Sequence, residues 1–262
     1  MRSVRFYRLA SGQLEDQSVT ELRKALTERP LVFHRVPKKT ASRRSTSSEG
    51  GLRQVSGELE SVQASGEKID AFARFSFDEH LSSVDVESRA IQAVRSRNRV
   101  HLWIYPRHGL VAILDLPYRI VGTTIVRGVS HRLKEQGLTG QPIDREWPFV
   151  ENVGLSANGS SAKPFSAKLT ELGLGRLVWN GTPFRDARYV LSDGNARDVT
   201  KSLRKGSEEL RSIGFQLTLD GSRPPLNCKA FASRTVVVYS PDVSGVEMES
   251  LVDWLAPRSV SA

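Results

Sequence analysis

Residues 100–114 read VHLWIYPRHGLVAIL, and this stretch carries the clearest fold signal in the chain. Two apolar runs, residues 100–105 and 110–114, flank a four-residue segment that begins with Pro106 and ends with Gly109. Such a segment is typical of a tight turn, because proline fixes its backbone dihedral φ and glycine accepts a left-handed conformation. The stretch therefore predicts a β-hairpin.

Segments on both sides of this hairpin carry strand or helix signals. Capping residues followed by apolar residues at helical spacing predict helices, beginning with the capping box Ser18-Val-Thr-Glu21. The predicted helices are 18–28, 83–97, one from Thr123 or Thr124 to Gly137, one from Asp198 or Thr200 to about Gly214, and 243–255. Short apolar or alternating runs predict strands at residues 3–9, 31–36, 52–63, 68–77, 176–179, 187–191, 215–219, 226–232 and 235–239. The predicted class is α+β, with mainly antiparallel sheets and packed helices.

Two similar segments raise the question of an internal repeat. Leu133-Lys-Glu-Gln-Gly137 and Leu210-Arg-Ser-Ile-Gly214 each form the end of a predicted helix. One interpretation is a duplicated sheet-plus-helix unit. The other, which we favour, is that Leu-x-x-x-Gly is an ordinary way for a helix to end.

The low apolar content of residues 152–168 suggests a division into two domains. This segment combines Gly, Asn, Ser, Lys and Pro and has little periodicity. We expect an N-terminal α+β domain at 1–150 with a flexible basic loop at 37–51, and a linker or long loop at 151–168. A C-terminal α+β domain with an acidic terminal helix would then occupy 169–262.

Positive charge is unevenly distributed along the chain. The 28 arginines and 10 lysines give a formal net charge of +9, with +7 in residues 1–57, −5 in 58–90 and −3 in the last 22. A basic balance favours a polyanionic partner, and the planar guanidinium donors of arginine suit phosphate. The predicted partner is nucleic acid, DNA or RNA, and not a membrane. A GC-rich genome is the alternative explanation of the arginine bias.

Three basic segments are the candidate binding surfaces: the loop at 38–48, the hairpin region at 91–134 and the predicted helix at 200–213. Ordinary solvated faces are the alternative interpretation of each, and Trp103 and Tyr105 are expected in the core rather than stacked on bases. The candidate nucleic-acid-binding residues are Lys38, Lys39, Arg43, Arg44, Arg95, Arg97, Arg99, Arg107, Arg127, Arg132, Lys134, Lys201, Arg204, Lys205 and Arg211.

Signals for catalysis are weak. The chain has no phosphate-binding P-loop, its five histidines are scattered, and Gly173-Leu-Gly175 lacks the third glycine of a dinucleotide motif. We therefore expect no catalytic residues, no metal and no cofactor. The single Cys228, expected on a buried strand, cannot form an internal disulfide, so an intracellular location is expected, cytoplasmic or nucleoid/nuclear.

Three functions remain open at this point. The first is a non-enzymatic nucleic-acid-binding protein that contacts the phosphate backbone through arginine-rich surfaces. The second is an adaptor or scaffold subunit of a larger protein or nucleoprotein assembly, because acidic and basic segments are segregated. The third is a metal-dependent nuclease built from dispersed acidic residues such as Asp115, Asp144 and Glu146.

Overall fold

The computed structural model describes residues 1–14, 18–35, 54–84, 91–140, 147–157, 166–179, 182–190, 209–219 and 224–260. It divides the chain into two units, Tyr7–Ile143 and Met1–Phe6 with Asp144–Ala262. Both contain helices and antiparallel strands, which confirms the α+β class. None of the helices in these ranges is long and apolar enough to cross a membrane.

The elements alternate irregularly along the chain and are numbered here in chain order. They are β1 (Arg2–Arg8), α1 (Val19–Thr27), β2 (Val32–Arg35), β3 (Val55–Ser65), β4 (Lys68–Val84), β5 (Ile91–Tyr105), β6 (Leu110–Leu114), α2 (Arg119–Glu135), α3 (Phe149–Ala157), β7 (Ser166–Trp179), β8 (Thr182–Val190), β9 (Glu209–Thr218), β10 (Leu226–Phe231), β11 (Thr235–Val238) and α4 (Gly245–Val260).

The Tyr7–Ile143 unit is built on five antiparallel strands in the order β2-β3-β4-β5-β6. Alternate residues of β4, such as Ile69, Phe75 and Phe77, are buried on one face of this sheet. They share a core with Leu22 of α1 and Ile125 of α2. Because side chains alternate along a strand, one face of the sheet packs against the helices.

The predicted hairpin is present. β5 and β6 pair from Leu102 opposite Ile113 to Tyr105 opposite Leu110, around a 3-10 turn at Pro106–His108. Gly109 adopts the left-handed conformation, with φ of 59°. Trp103 and Tyr105 are buried, as their core interpretation predicted.

Two predicted helices of this unit are present as α1 and α2, although α2 begins earlier than predicted. The capping box of Ser18 and Glu21 is formed at α1, and Gly137 follows α2 with φ of 72°. The start of α2 was predicted at Thr123 or Thr124, which is wrong. The helix begins at Arg119, and the threonine hydroxyls donate within it, to the Arg119 and Ile120 carbonyls at 3.1 and 2.8 Å.

The predicted helix at 83–97 is wrong. Residues up to Val84 belong to β4, residues from Ile91 belong to β5, and 85–90 lie outside the described residues. The two strands pair from Ile69 opposite Ile104 to His80 opposite Ala93 and, after an irregularity, again at Val84 opposite Ile91. This long ladder of backbone hydrogen bonds outweighs the local helical spacing of the apolar residues.

The second unit is built on the strand order β1-β11-β10-β9-β7-β8, with α3 and α4 also in the unit. Part of its predicted helix at 200–213 is wrong, because residues from Glu209 onward form β9. Ile213, Phe215 and Leu217 are buried at alternate positions, which is the period of a strand. Residues 200–208, with Lys201, Arg204 and Lys205, lie outside the described residues.

The position of Gly214 also bears on the repeat. Gly214 lies within β9 opposite Lys229 of β10, whereas Gly137 ends a helix. The two similar segments therefore have different structures. The described residues give no support to a duplicated sheet-plus-helix unit, and Gly214 is not a helix end.

The segment predicted as a linker is partly regular. Phe149–Ala157 form α3 and β7 begins at Ser166, so that interpretation is wrong at both ends, and 158–165 lie outside the described residues. The terminal helix exists as α4. Leu251 and Leu255 are buried as expected, but the predicted inward residue Val246 is 73% exposed.

Two glycines let β2 pack closely against its neighbours at Phe33. A Cβ on Gly57, which pairs with Phe33 across β2 and β3, would lie 2.6 Å from the Cζ atom of the Phe33 ring. A Cβ on Gly128 of α2 would lie 3.0 Å from the Phe33 Cβ atom. Phe33 is buried, so Gly57 leaves room for its ring over β3 and Gly128 permits the close approach of α2 to β2.

We predict that Gly57→Ala destabilises the protein by about 1–3 kcal/mol, because the new methyl group must displace the Phe33 ring or the main chain of β4. Urea unfolding followed by circular dichroism measures the loss. Gly245→Ala is the control, since its Cβ would meet no atom within 4 Å. Equal stability of the two variants would contradict this packing.

Cys228 provides an independent probe of the second unit. Burial on β10 raises the pKa of its thiol to about 12. Because the pKa is higher in the folded state, the thiol stays protonated, and stability is lost only as pH rises from the ordinary value of 9.0 towards 12. We predict that iodoacetamide at pH 8 modifies Cys228 at least about 100-fold more slowly in the native protein than in urea, since thiolate is the nucleophile. Comparable rates would show that Cys228 is accessible.

Candidate functional site

A groove of about 360 Å³ lies between strand β2 and helix α2 in the Tyr7–Ile143 unit. It is called the β2–α2 groove below. Its floor is apolar, with Leu31 and Phe33, and its sides are rich in basic groups. The ionisable residues that line it are His34, Arg35, Arg127, His131, Arg132 and Glu135.

The strand side of the groove is a sheet edge in the part of the chain that the structure describes. β2 is terminal in the strand order, and the Leu59 N–H donates to the Leu31 carbonyl at 3.0 Å. Since hydrogen-bonding direction alternates along an antiparallel strand, the peptide groups of Val32 and His34 point away from β3. The same alternation puts the Arg35 side chain on the side of Phe33, towards α2.

The helix side of the groove presents a stripe of basic residues. Arg127, His131 and Lys134 are spaced by four and three residues, which places them on one helix face. All three are exposed, and Lys134 extends the stripe beyond the groove lining. Within the described ranges, neither Arg127 nor Arg35 forms an ion pair.

Arg132 has a different role, because its guanidinium is already engaged. It donates to the carbonyls of Arg29 and Pro30 at 2.9 and 3.3 Å, and its side chain is only 15% exposed. Its Nε atom also lies 3.6 Å from Glu135, whose other oxygen is 3.3 Å from His131. Arg132 therefore connects α2 to the turn before β2, and Glu135 is the carboxylate that accompanies the basic groups of the groove.

These contacts also show how α2 and β2 are oriented along the groove. Gly128 lies beside Phe33, while Arg132, further along α2, reaches back to Arg29 and Pro30. α2 and β2 therefore run in opposite directions along the groove. Arg132 bridges the end where β2 begins, and Arg35 lies at the other end.

The predicted hairpin arginines lie elsewhere in the same unit. Arg99 of β5 stacks over the Phe72 ring at 4.0 Å and lies 3.4 Å from Glu60. Arg107 in the turn pairs with Glu67 at 2.7 Å. Arg97 is exposed and lies opposite Ser76 in the strand register. None of these three lines the β2–α2 groove.

Several predicted residues are not placed in a common site. The strand register puts Arg95 opposite Asp78. Arg211 lies on β9 of the other unit, and its guanidinium fills the space beside Gly175. Arg211 is thus on a strand and not on the helix predicted for it. The remaining candidates lie outside the described residues: Lys38, Lys39, Arg43, Arg44, Lys201, Arg204 and Lys205.

Acidic residues of the 58–90 segment pair with cations of their own unit. Glu60 pairs with Arg74 at 2.5 Å as well as with Arg99, and Asp70 lies 2.6 Å from His101. With Glu67 bound to Arg107, these contacts reduce the negative charge that the segment offers to a basic partner protein. Two of the arginines paired in this way, Arg99 and Arg107, are predicted binding residues.

A separate ion cluster lies in the second unit. Glu171 of β7 contacts Lys229 of β10 and lies 2.7 Å from Arg188 of β8. Burial opposes ionisation of Glu171, but the two cations hold the pKa of its carboxyl below the ordinary value. This cluster ties three strands together and engages the Glu171 carboxylate with two cations.

His34 and Arg35 are the functional candidates that the sequence prediction missed. The only signal for them is their position on a short strand immediately before the basic segment of Lys38, Lys39, Arg43 and Arg44. Their partners on α2 are about ninety residues away, so only the fold brings them together.

Comparisons with known proteins do not assign a function to the β2–α2 groove, which is therefore interpreted from its geometry. No protein-family model matches the chain, and no curated protein is significantly similar to it in sequence. In the part of the chain that the structure describes, no three His, Cys, Asp or Glu side chains lie together as metal ligands would.

We predict that Arg132→Met lowers the free energy of unfolding by about 1–2 kcal/mol, because two carbonyls that accept charged hydrogen bonds lose their donor. Lys134→Met on the same helix is the matched control, since its side chain is exposed. Thermal unfolding of both variants measures the difference. An unchanged Arg132→Met protein would show that the bridge does not hold α2 to β2.

Proposed function

We propose that the protein binds nucleic acid without catalysing a reaction on it, through arginine contacts to the phosphate backbone. The observation that carries this proposal is the pair Arg35 and Arg127. They line the same groove from two different elements, and neither has an ion-pair partner among the described residues. The nearby carboxylate, Glu135, already contacts Arg132 and His131.

The chemistry of the groove suits phosphate. Each guanidinium presents a planar set of N–H donors that matches two phosphate oxygens. The outward N–H groups of Val32 and His34 add uncharged donors along the strand edge, as backbone amides do in many nucleic-acid interfaces. A contact of this kind carries no sequence information, so binding would be largely independent of base sequence.

The basic segment after β2 would strengthen this contact. Lys38, Lys39, Arg43 and Arg44 follow Arg35 within nine residues of the chain. Covalent attachment keeps these charges close to any polyanion held in the groove, which raises their effective concentration. Together with the groove they supply enough cations for a strongly salt-dependent affinity.

An intracellular site of action, cytoplasmic or nucleoid/nuclear, fits this function. The chain has a single cysteine, buried in the second unit, and therefore needs no oxidising compartment to fold. DNA and RNA are both compatible with a phosphate-based contact, so the binding experiments include both polymers.

We predict that Arg35→Gln and Arg127→Gln each weaken binding to single-stranded and duplex oligonucleotides by about 5–20-fold at low salt. Each should also reduce the slope of log K against log salt concentration by up to about one, because one cation fewer neutralises the phosphate backbone. Filter binding across a salt gradient measures both quantities.

Arg74→Gln is the matched control. It removes one equal charge from the same unit, at a side chain that is 63% exposed and already paired with Glu60. If all three variants lose the same affinity, binding depends only on net charge, and the groove is not the site. If the native protein binds no oligonucleotide, the proposed function is wrong.

A further inference from the structure

We propose that the β2–α2 groove binds the terminal phosphomonoester of a nucleic acid strand in preference to an internal phosphodiester. This inference rests on the function proposed above and adds the chemical class of the group that enters the groove. Three features support it: a closed end, the charge of the lining side chains, and the number of donors.

One end of the groove is closed by side chains of α2. Arg132 crosses to the Arg29 and Pro30 carbonyls, and Gln136 donates to Glu28 at 3.0 Å beside it. A strand that passes through a groove needs both ends open. Among the described residues no such bridge lies at the Arg35 end, so the terminus of a strand fits the groove better than its middle.

The charge of the lining matches a dianion. The guanidinium groups of Arg35, Arg127 and Arg132 together with the Glu135 carboxylate give a formal charge of +2 with the histidines neutral. A phosphomonoester carries about −1.5 to −2 at pH 7, whereas an internal phosphodiester carries one negative charge. The terminal group thus neutralises more of the charge in the groove.

The donors also exceed what a phosphodiester can accept. Arg35 and Arg127 each carry five N–H donors, and the Val32 and His34 amides point out from the strand edge. A monoester offers three terminal oxygens to these donors, while a diester offers two. The volume of about 360 Å³ is enough for a ligand the size of one nucleotide, with Leu31 and Phe33 as apolar floor.

The test compares oligonucleotides that differ only at their ends. Single-stranded DNA and RNA 12-mers of one sequence are prepared with a 5′-phosphate, a 3′-phosphate or hydroxyls at both ends, and their affinities are measured by fluorescence anisotropy. We expect at least about tenfold tighter binding for one phosphorylated end. Inorganic phosphate and a nucleoside monophosphate serve as competitors, which shows whether the phosphate alone or the attached strand is recognised.

Variants locate the preference in the groove. Arg127→Gln should reduce the ratio between phosphorylated and hydroxyl oligonucleotides to about one to threefold, while Arg74→Gln leaves that ratio unchanged. Glu135→Gln, which removes the negative charge of the lining, should increase the ratio. Thermal unfolding confirms that each variant is folded.

Two negative outcomes are distinguishable. Equal affinity for all three ends, with salt-dependent binding, would overturn the terminal-phosphate inference and leave the proposed function intact. Absence of binding to every oligonucleotide would overturn both. A preference that persists in Arg127→Gln would place the terminal-phosphate site outside the groove and would also overturn the inference.

Discussion

The close approach of α2 to β2 at Phe33 is the constraint on which the candidate site depends. Gly57 on the sheet side leaves room for the Phe33 ring, and Gly128 on the helix side leaves room for the Phe33 Cβ atom. Because the contact fixes the separation of strand and helix, it also fixes the width of the groove. The bridge from Arg132 to the Arg29 and Pro30 carbonyls then closes one end. Packing and hydrogen bonding thus shape the groove before any ligand is present.

Local sequence signals predicted those elements that local interactions determine. The turn at Pro106–His108 and the capping box at Ser18 depend on residues a few positions apart, and both are present. The helices predicted at 83–97 and 200–213 are wrong at the described residues, which form paired strands instead. In β4, β5 and β9, partners far along the chain supply backbone hydrogen bonds that a short window of sequence does not reveal. Apolar residues at helical spacing were therefore insufficient evidence there.

The candidate site was predictable only in part, for a related reason. Arg127, Arg132 and Lys134 were recognised as basic residues on a helix, but Arg35 and His34 were missed because their role arises from tertiary contact. The sequence also cannot show which arginines are already paired. Arg99 and Arg107 contact Glu60 and Glu67, and these carboxylates compete with a ligand for the two guanidinium groups. The structure separates these paired cations from Arg35 and Arg127.

The proposed site requires that Arg35 and Arg127 contact one phosphate group, and a double-mutant cycle measures the coupling between them. Affinities for one oligonucleotide are measured for the native protein, the two single glutamine variants and the double variant at one salt concentration. If both guanidiniums contact one phosphate, the double variant should lose less binding free energy than the two single losses added together, by more than about 0.5 kcal/mol. Additive losses, or no loss in either single variant, would contradict a shared site.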